Sequence, residues 1–359
     1  MVARRGFPWE LFEALSNARG VTGDEAPVRR ILKDYLRPHV DRLEVDSMGS
    51  LLVEKRGRRD GVRLLLGAHM DEVGFMVVRI EKSGMLRLQK VGGLDDRLLS
   101  GKRVRVGEKA IQGVLGAKPP HLAKGEEASR TVMLDDMVAD IGAADDKEAK
   151  KHVKVGDTVT FDATFESWAG GLVRGKAFDD RAGCALLAAL VASASPVSFV
   201  AAFTTQEEIG MRGGRVAAQR FQPAVAVALE GTAAADTPSK RGEALGAYPL
   251  LGGGPVLTRR DGATISDRTV FGVFERAAVA AGVKWQEKRP GIGGTDAGEY
   301  HRAGGGARSI SVSVPCRYIH APSALAARAD IEATLELVRA ALPGLAALKR
   351  PAGPRGEKS

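Results

Sequence analysis

The chain has 359 residues, more than one ordinary hydrophobic core holds, so its length favours two domains. Hydrophobic residues make up 44% of it, but no stretch approaches the roughly 20 consecutive apolar residues of a membrane span, which argues against a membrane protein. The net charge is +9, yet the basic residues form short scattered groups without interleaved aromatic residues, so nucleic-acid binding is not expected.

The predicted elements change character twice along the chain. Residues 8–38 are predicted to form helices separated by a glycine, and "RLLLGAHMDEVGFMVVRI" (63–80) contains a buried strand, a polar break and a second strand. From about 74 to 172, short β-rich pieces alternate with turn residues, as in a small barrel or a β-sandwich. From 173 onward strands and helices alternate, which is typical of an α/β domain with a largely parallel sheet.

This pattern predicts an α/β fold in which one domain interrupts another. Residues 1–72 and 173–349 are expected to form the main domain, with a mostly parallel central sheet flanked by helices. Residues 73–172 are expected to form a smaller β-barrel-like insert, and residues 350–359 a disordered tail.

The amino terminus and the cysteines bear on the compartment. The first residues, "MVARRGFPWELFEAL", are amphipathic and lack the apolar core and cleavage site of a secretory signal. Cys184 and Cys316 are too few for a disulfide framework and suit a reducing environment. We therefore expect a cytoplasmic protein in which both cysteines are small core residues.

Charged and imidazole side chains recur where the predicted strands of the main domain end. Because the carboxyl ends of parallel strands meet at one edge of a sheet, these side chains should lie together. Singly, each has an ordinary structural explanation, such as a satisfied core histidine or a helix-capping carboxylate. Together, they would remain repelled or unpaired at a cost of several kcal/mol unless cations join them. They are His69, Asp71, Glu207, Glu208, Glu230 and His320, joined by Asp179 and Asp180 just before an alanine-rich predicted helix.

Two divalent metal ions would satisfy this arrangement. Imidazole and carboxylate ligands without a set of thiolates favour zinc, cobalt or manganese over a cysteine zinc site or an iron–sulfur cluster. A bimetallic centre needs a carboxylate that bridges ions roughly 3.5–4 Å apart, ligands for each ion, and a base that is free of metal. The adjacent Glu207 and Glu208 meet the last two needs, because one can bind a metal while its neighbour accepts a proton from the activated water.

Five stretches resemble, in order, the motifs of the tetrahedral aminopeptidase family. Its members are cobalt- or zinc-dependent peptidases, also called glutamyl or deblocking aminopeptidases, and some carry the historical label endoglucanase. The resemblance covers roughly residues 8–345, and five ordered motifs are far more specific than any one of them. The stretches are "GAHMDEVGFMV", "GKAFDDRAGCALL", "TTQEEIGMRGG", "GGTDAGEYH" and "VPCRYIHAPSAL".

The resemblance implies a metal ligand set. His69, Asp179 and Glu230 would bind one ion, while Asp179, Glu208 and His320 would bind the other, with Asp179 as the bridge. The family position of Glu230 is often aspartate, so Asp236 is the fallback ligand.

The resemblance also implies the remaining roles and the assembly. Glu207 would be the general base, and Asp71 would orient the imidazole of His69. Cys316 stands where a small hydroxylated residue is more usual and is not required as a ligand. "LGGGPVLT" and "GGTDAGEYH" would shape the substrate cavity, which Asp296 could reach. Family members use the barrel-like insert in assembly and often form hollow tetrahedral dodecamers, so a homo-oligomer that acts on peptides is expected.

The predicted reaction is metal-dependent hydrolysis of the amino-terminal peptide bond. A deacylase of N-acyl amino acids or peptides is the first alternative, because the same activated water attacks either amide. A non-catalytic scaffold or nucleic-acid-binding protein is an alternative from another class, and Glu207 argues against it, since a scaffold has no use for an uncommitted base. A cellulase is disfavoured, because glycosidases use two free carboxyl groups and need no pair of histidines.

Overall fold

The structure is a computed structural model that describes residues 6–40, 42–122, 125, 129–238, 248–288, 291 and 293–348. The tail predicted at 350–359 lies outside these residues. The described helices are α1 Trp9–Asn17, α2 Ala26–Leu36, α3 Asp146–Ala149, α4 Phe178–Ala192, α5 Arg212–Phe221, α6 Arg268–Ala281, α7 Ala297–Tyr300 and α8 Arg328–Ala346. None of these helices has both the length and the apolar character that a membrane crossing requires.

The strands divide between one large sheet and one closed barrel. In chain order they are β1 Leu43–Val45, β2 Leu51–Lys55, β3 Leu64–His69, β4 Gly74–Ile80, β5 Leu86–Val91, β6 Arg103–Val106, β7 Ile111–Gly116, β8 Val138–Asp140, β9 Thr158–Phe161, β10 Glu166–Trp168, β11 Leu172–Gly175, β12 Phe199–Thr204, β13 Val225–Ala233, β14 Val256–Thr258, β15 Gln286–Lys288, β16 Arg308–Arg317 and β17 Ala324–Ala327.

The large sheet is parallel at its centre and antiparallel at its flanks. Its order is β1-β2-β12-β3-β13-β16-β17-β11-β10, with β14 paired to β16 and β15 paired to β14. β12 is parallel to β3, β3 to β13 and β13 to β16, whereas β2 and β17 attach to this centre in antiparallel fashion. The predicted parallel sheet is therefore its central part, and the carboxyl ends of four strands share one edge.

Helices cover both faces of the large sheet, which explains the unbroken apolar run of β3. Leu64 and Leu66 face the main core, to which α1, α2, α4, α6 and α8 contribute. Leu65 faces the opposite core, together with Ala217 of α5 and Tyr300 of α7. This arrangement confirms the predicted α/β class with a helix-flanked sheet.

Six antiparallel strands close into the barrel, in the order β4-β5-β8-β7-β6-β9. The barrel has a core of its own, separate from the cores beside the large sheet, which includes Phe75, Leu88, Val104, Leu115 and Val159. Of the two predicted forms of the insert, barrel and sandwich, the structure has the barrel. β10 lies inside the range 73–172 but pairs with β11 in the large sheet.

A buried ion pair joins the two points at which the chain enters and leaves the barrel region. Glu72 Oε1 lies 2.8 Å from Nζ of Lys176 and 3.1 Å from Nη2 of Arg181. Thr160 of β9 donates its hydroxyl hydrogen bond to Glu72 Oε2 at 3.1 Å. Burial lowers the pKa of Lys176 to about 8, although Glu72 opposes this shift. Glu72, which directly follows Asp71, thus links strand β9 of the barrel with Lys176 of the main domain.

Candidate metal centre

The parallel strands bring the predicted ligands to one edge of the sheet. Thr204 at the end of β12 is paired with His69 at the end of β3, so the chain leaves β12 towards Glu207 and Glu208 beside His69. Glu230 lies within β13, which continues beyond it, rather than at the end of that strand. His320 follows β16, the neighbour of β13.

Asp179 lies between the two histidines. Its Oδ1 is 3.4 Å from Nε2 of His69, and its Oδ2 is 3.4 Å from Nε2 of His320. Glu230 approaches His69, with 3.6 Å between Oε2 and Nε2. Glu208 approaches His320, with 3.2 Å between Oε1 and Nε2. Two groups of side chains therefore share Asp179, one around each imidazole.

Asp180 is also close to this cluster but is used differently. Ligand atoms of His69, Asp180 and Glu230 lie within 4.8 Å of one another. However, Asp180 Oδ2 accepts the backbone N–H of His69 at 3.0 Å, and Oδ1 accepts that of Gly183 at 2.9 Å. Asp179 Oδ1 also accepts a backbone N–H, that of Gly231 at 3.2 Å, but each of its oxygens faces an imidazole. Because Asp179 alone of the two lies between both histidines, we assign it rather than Asp180 to the candidate ligand set.

Asp71 is fully buried behind His69. Its Oδ1 lies 3.4 Å from Nδ1 of His69, and its main-chain carbonyl oxygen lies 3.2 Å from the same nitrogen. The carboxylate also accepts the backbone N–H groups of Glu207 at 3.0 Å and Glu208 at 3.1 Å, and the hydroxyl of Thr22 at 2.8 Å. These contacts hold the Nδ1 side of the imidazole, which leaves Nε2 directed at Asp179.

The cluster opens into a cavity of about 480 Å³. Glu207 lines this cavity but makes none of the histidine contacts described above. Apart from the predicted site residues, the described side chains of the wall are uncharged except Lys288. The larger ones are Met211, Tyr248, Lys288, Thr295 and Ile319.

Burial dominates the electrostatics of the glutamates. It raises the pKa of Glu207 well above its ordinary value, and the nearby carboxylates of Asp296 and Glu208 raise it further. Burial likewise raises the pKa of Glu230, with Asp180 adding to the effect, and that of Glu208. The edge of the sheet therefore holds more carboxyl groups than it can keep ionised without a compensating positive charge.

The pKa values of the two imidazoles are also raised, but by neighbouring carboxylates rather than by burial. Burial alone would lower the pKa of His320, but Asp179 and Glu208 outweigh it and raise the pKa to about 11. The pKa of His69 is likewise raised well above its ordinary value, mainly by Asp179 and Asp71 against the effect of burial. The two histidines lower the pKa of Asp179, again against burial.

The residues of this cluster fit divalent cations. Glu230 Oε1 is buried and has no hydrogen-bond partner among the described residues. A buried carboxylate oxygen without a partner is costly, and a cation would satisfy it. Carboxylate oxygens and imidazole nitrogens together are the ligands that zinc, cobalt and manganese accept.

Three other predicted residues are not part of the two ligand groups. Asp236, the fallback ligand, is paired with Arg317, whose Nη2 lies 2.6 Å from Oδ2 of Asp236. Cys316 is buried within β16, where burial raises the pKa of its thiol. Asp296 does not line the cavity, because it is buried and accepts the hydroxyl hydrogen bond of Thr204 at 2.6 Å.

Several residues that support the site were not anticipated from the sequence. Thr22 and Glu25, in the loop between α1 and α2, bond to Asp71 and to the backbone of Gln206. Lys288, at the end of β15, reaches the cavity wall. No motif marked them, since each contact joins segments far apart in the chain.

Comparisons with known proteins agree with the fold and identify the family. The family model described as M42 glutamyl aminopeptidase matches residues 49–337. The putative aminopeptidase FrvX of Escherichia coli is 34% identical over 348 residues, which span 95% of this chain and 96% of that protein.

Two solved structures show the same similarity. A TET aminopeptidase from a marine sediment Thaumarchaeota archaeon has a TM-score of 0.88 and 34% identity, with 95% of this chain and 97% of that one covered. The TET1 peptidase of Pyrococcus horikoshii, which can assemble into a tetrahedron or a large octahedral shell, has a TM-score of 0.82 and 32% identity, with 95% and 99% covered. The expected resemblance to the tetrahedral aminopeptidases is confirmed, and the chain belongs to the M42 glutamyl aminopeptidase family.

Proposed function

We propose that this protein is a dinuclear metallo-aminopeptidase that removes amino-terminal residues from peptides. The observation that carries the proposal is the pair of ligand groups that share Asp179 at the floor of a cavity, with Glu207 beside them. Membership of a family of aminopeptidases supports the same reaction.

His69, Asp179 and Glu230 would hold one ion, and Asp179, Glu208 and His320 the second. Zinc or cobalt are the ions best suited to these ligands, with manganese as a third. When bound, two such ions supply Lewis-acid polarisation of the scissile carbonyl and make a water molecule more acidic. Asp71 fixes the orientation of His69 and of the segment that carries Glu207 and Glu208.

Glu207 is proposed as the general base. Its backbone is fixed by Asp71, its side chain lines the cavity, and its raised pKa suits a group that takes a proton and later returns it. In the proposed reaction, Glu207 accepts the proton of the attacking water and donates it to the leaving amine when the peptide bond breaks.

We further propose that the amino-terminal residue of the preferred substrate is acidic. Lys288 is the charged side chain of the described cavity wall that is not assigned to metal binding or to proton transfer. Its ammonium group lies against the Gly293 turn, at 3.8 Å from where a Cβ of that residue would stand. A carboxylate side chain in this cavity would gain a cation, whereas a basic one would meet a like charge.

The assembly, the domains and the location are also proposals. Similarity to the TET1 peptidase supports a homo-oligomer, with a tetrahedral dodecamer as the specific form. The separate core of the barrel supports the proposed division into residues 1–72 with 173–349 and an insert of residues 73–172, except that Phe165 and β10 belong with the main domain. The two free, buried cysteines are consistent with a reducing cytoplasmic environment.

The proposal is tested with a panel of aminoacyl-p-nitroanilides and their N-acetylated counterparts. Metal-stripped protein is assayed with zinc, cobalt or manganese added back, beside the Glu207→Gln variant. Metal-dependent release from free-amine substrates, fastest for glutamyl and aspartyl and lost in the variant, is expected. Release of acetate from the N-acetylated substrates, with no p-nitroaniline released from the free-amine substrates, would replace the aminopeptidase with the deacylase.

A further inference from the structure

We propose that Glu25 is a positioning residue for the catalytic loop, acting through the backbone of Gln206. The inference rests on the proposed function, since it concerns the segment that carries the general base Glu207. Glu25 lies in the loop between α1 and α2, about 180 positions away from that segment.

Three consecutive backbone N–H groups of this segment donate to two buried carboxylates. The N–H of Gln206 donates to Glu25 Oε1 at 3.2 Å. The N–H groups of Glu207 and Glu208 donate to Oδ1 and Oδ2 of Asp71 at 3.0 and 3.1 Å. Gln206 has a φ of +57°, in the left-handed region that non-glycine residues seldom adopt. The conformation of the loop therefore depends on acceptors outside it.

The side chain of Glu25 is itself held in place. It is 4% exposed, and its Oε1 also accepts the N–H of Gly23 at 2.8 Å. Thr22 of the same loop donates its hydroxyl hydrogen bond to Asp71 Oδ2. The loop between α1 and α2 therefore supplies one carboxylate, that of Glu25, and supports the other, that of Asp71. Glu25 and Asp71 together form what we call the amide clamp of the loop 206–208.

The local structure alone does not account for Glu25. The residue precedes α2 but its side chain makes no capping hydrogen bond to that helix. No lysine, arginine or histidine among the described residues forms an ion pair with it, although burial raises its pKa. A buried carboxylate without a paired cation is costly unless hydrogen bonds compensate it. The N–H groups of Gly23, within the same loop, and of Gln206, outside it, supply these bonds.

The test compares two substitutions of similar size. Glu25→Gln keeps the side-chain oxygen that accepts the N–H of Gln206, and Glu25→Met keeps the length without the acceptor. Glu13→Met, at an exposed position of α1, is the matched control. For each protein one measures kcat and KM on a glutamyl substrate, metal content, melting temperature, and hydrogen–deuterium exchange of residues 204–211.

The clamp predicts that kcat of Glu25→Met falls by about tenfold or more, because a displaced catalytic group loses its alignment. KM and metal content should stay near wild-type values, exchange at 204–211 should accelerate, and Glu25→Gln and Glu13→Met should resemble the wild type. Wild-type kcat in Glu25→Met, or a loss of kcat equalled in Glu25→Gln, would overturn the inference. If the wild-type protein itself cleaves no substrate, the proposed function fails, whereas unchanged exchange in Glu25→Met would still overturn the clamp.

Discussion

The carboxylate of Asp71 accepts hydrogen bonds from the backbone amides of both Glu207 and Glu208, while its Oδ1 also lies 3.4 Å from Nδ1 of His69. One buried side chain thus connects the end of β3 with the segment that follows β12. Any displacement of Asp71 would move a proposed ligand of each ion and the proposed base at the same time. Its role is broader than the orientation of one imidazole.

Substitution of Asp71 by alanine should therefore weaken metal binding and catalysis together. Loss of such a supporting carboxylate typically costs about 10–100-fold in metal affinity. At saturating metal, kcat should remain low, because the amides of Glu207 and Glu208 have lost their acceptor. Metal titration by calorimetry and kinetics at saturating metal measure the two effects. Full recovery of kcat at high metal would contradict the proposed link to the glutamate segment.

Substitution of Glu207 by glutamine should separate chemistry from metal binding. The side chain keeps its size but can no longer take a proton, so kcat should fall by about 100-fold or more. Metal content, measured by emission spectrometry, should stay at the wild-type value, because Glu207 is not among the proposed ligands. Glu208→Gln is the matched comparison, and it should lose metal as well as activity. Equal metal loss in both variants would reassign Glu207 as a ligand.

Lys288 should determine the preference for the amino-terminal side chain. In Lys288→Met, the ratio of kcat/KM for glutamyl over leucyl p-nitroanilide should fall by about tenfold or more, because an attractive charge is lost. In Lys288→Glu, lysyl p-nitroanilide should become a better substrate than the glutamyl one. Lys284→Met, at an exposed position outside the described cavity wall, is the control. It should leave the glutamyl-to-leucyl ratio and the lysyl-to-glutamyl ratio of kcat/KM unchanged. A preference that survives in Lys288→Glu would rule out this residue as its source.

Asp296 should make stability depend on pH. Burial raises its pKa to about 6 from 3.8, although the hydroxyl of Thr204 opposes the shift. Between these values the folded state binds more protons than the unfolded state, so the free energy of unfolding falls as the pH rises through this window. Asp296→Asn removes this dependence, so its stability relative to the wild type should increase by about 2 kcal/mol between pH 4 and pH 7. Urea unfolding of the metal-stripped proteins measures the difference, and a constant difference would contradict the shift.

The sequence could predict that the charged side chains gather at one edge of the sheet, because the signals for buried strands are local. The apolar run before His69 and the run before Glu207 each mark a buried strand, and parallel strands must end on the same side. The choice between Glu230 and Asp236 could not be made locally. It depends on how far β13 continues, which places Glu230 beside His69 and leaves Asp236 to pair with Arg317.

The residues that support the site without lining the cavity could not be predicted from local sequence patterns. Nothing in "GVTGDEAP" indicates that Glu25 would meet Gln206, because the contact arises only when the loop after α1 packs against the end of β12. The two aspartates after Phe178 present the same difficulty. Either could have been the ligand from spacing alone, and the backbone amides of His69 and Gly183 are what occupy Asp180.

The ion pair between Glu72 and Lys176 closes the seam at which the barrel is inserted into the main domain. The chain departs for the barrel just after Glu72 and has returned before Lys176, and the two charged groups at this seam are 2.8 Å apart. None of the proposed ligands, nor the base, lies between Gly74 and Phe161, where the barrel strands are found. A foreign barrel grafted at this seam would therefore leave the proposed ligands and the proposed base on the main domain and would replace Gly93, which lies between β5 and β6 and lines the cavity.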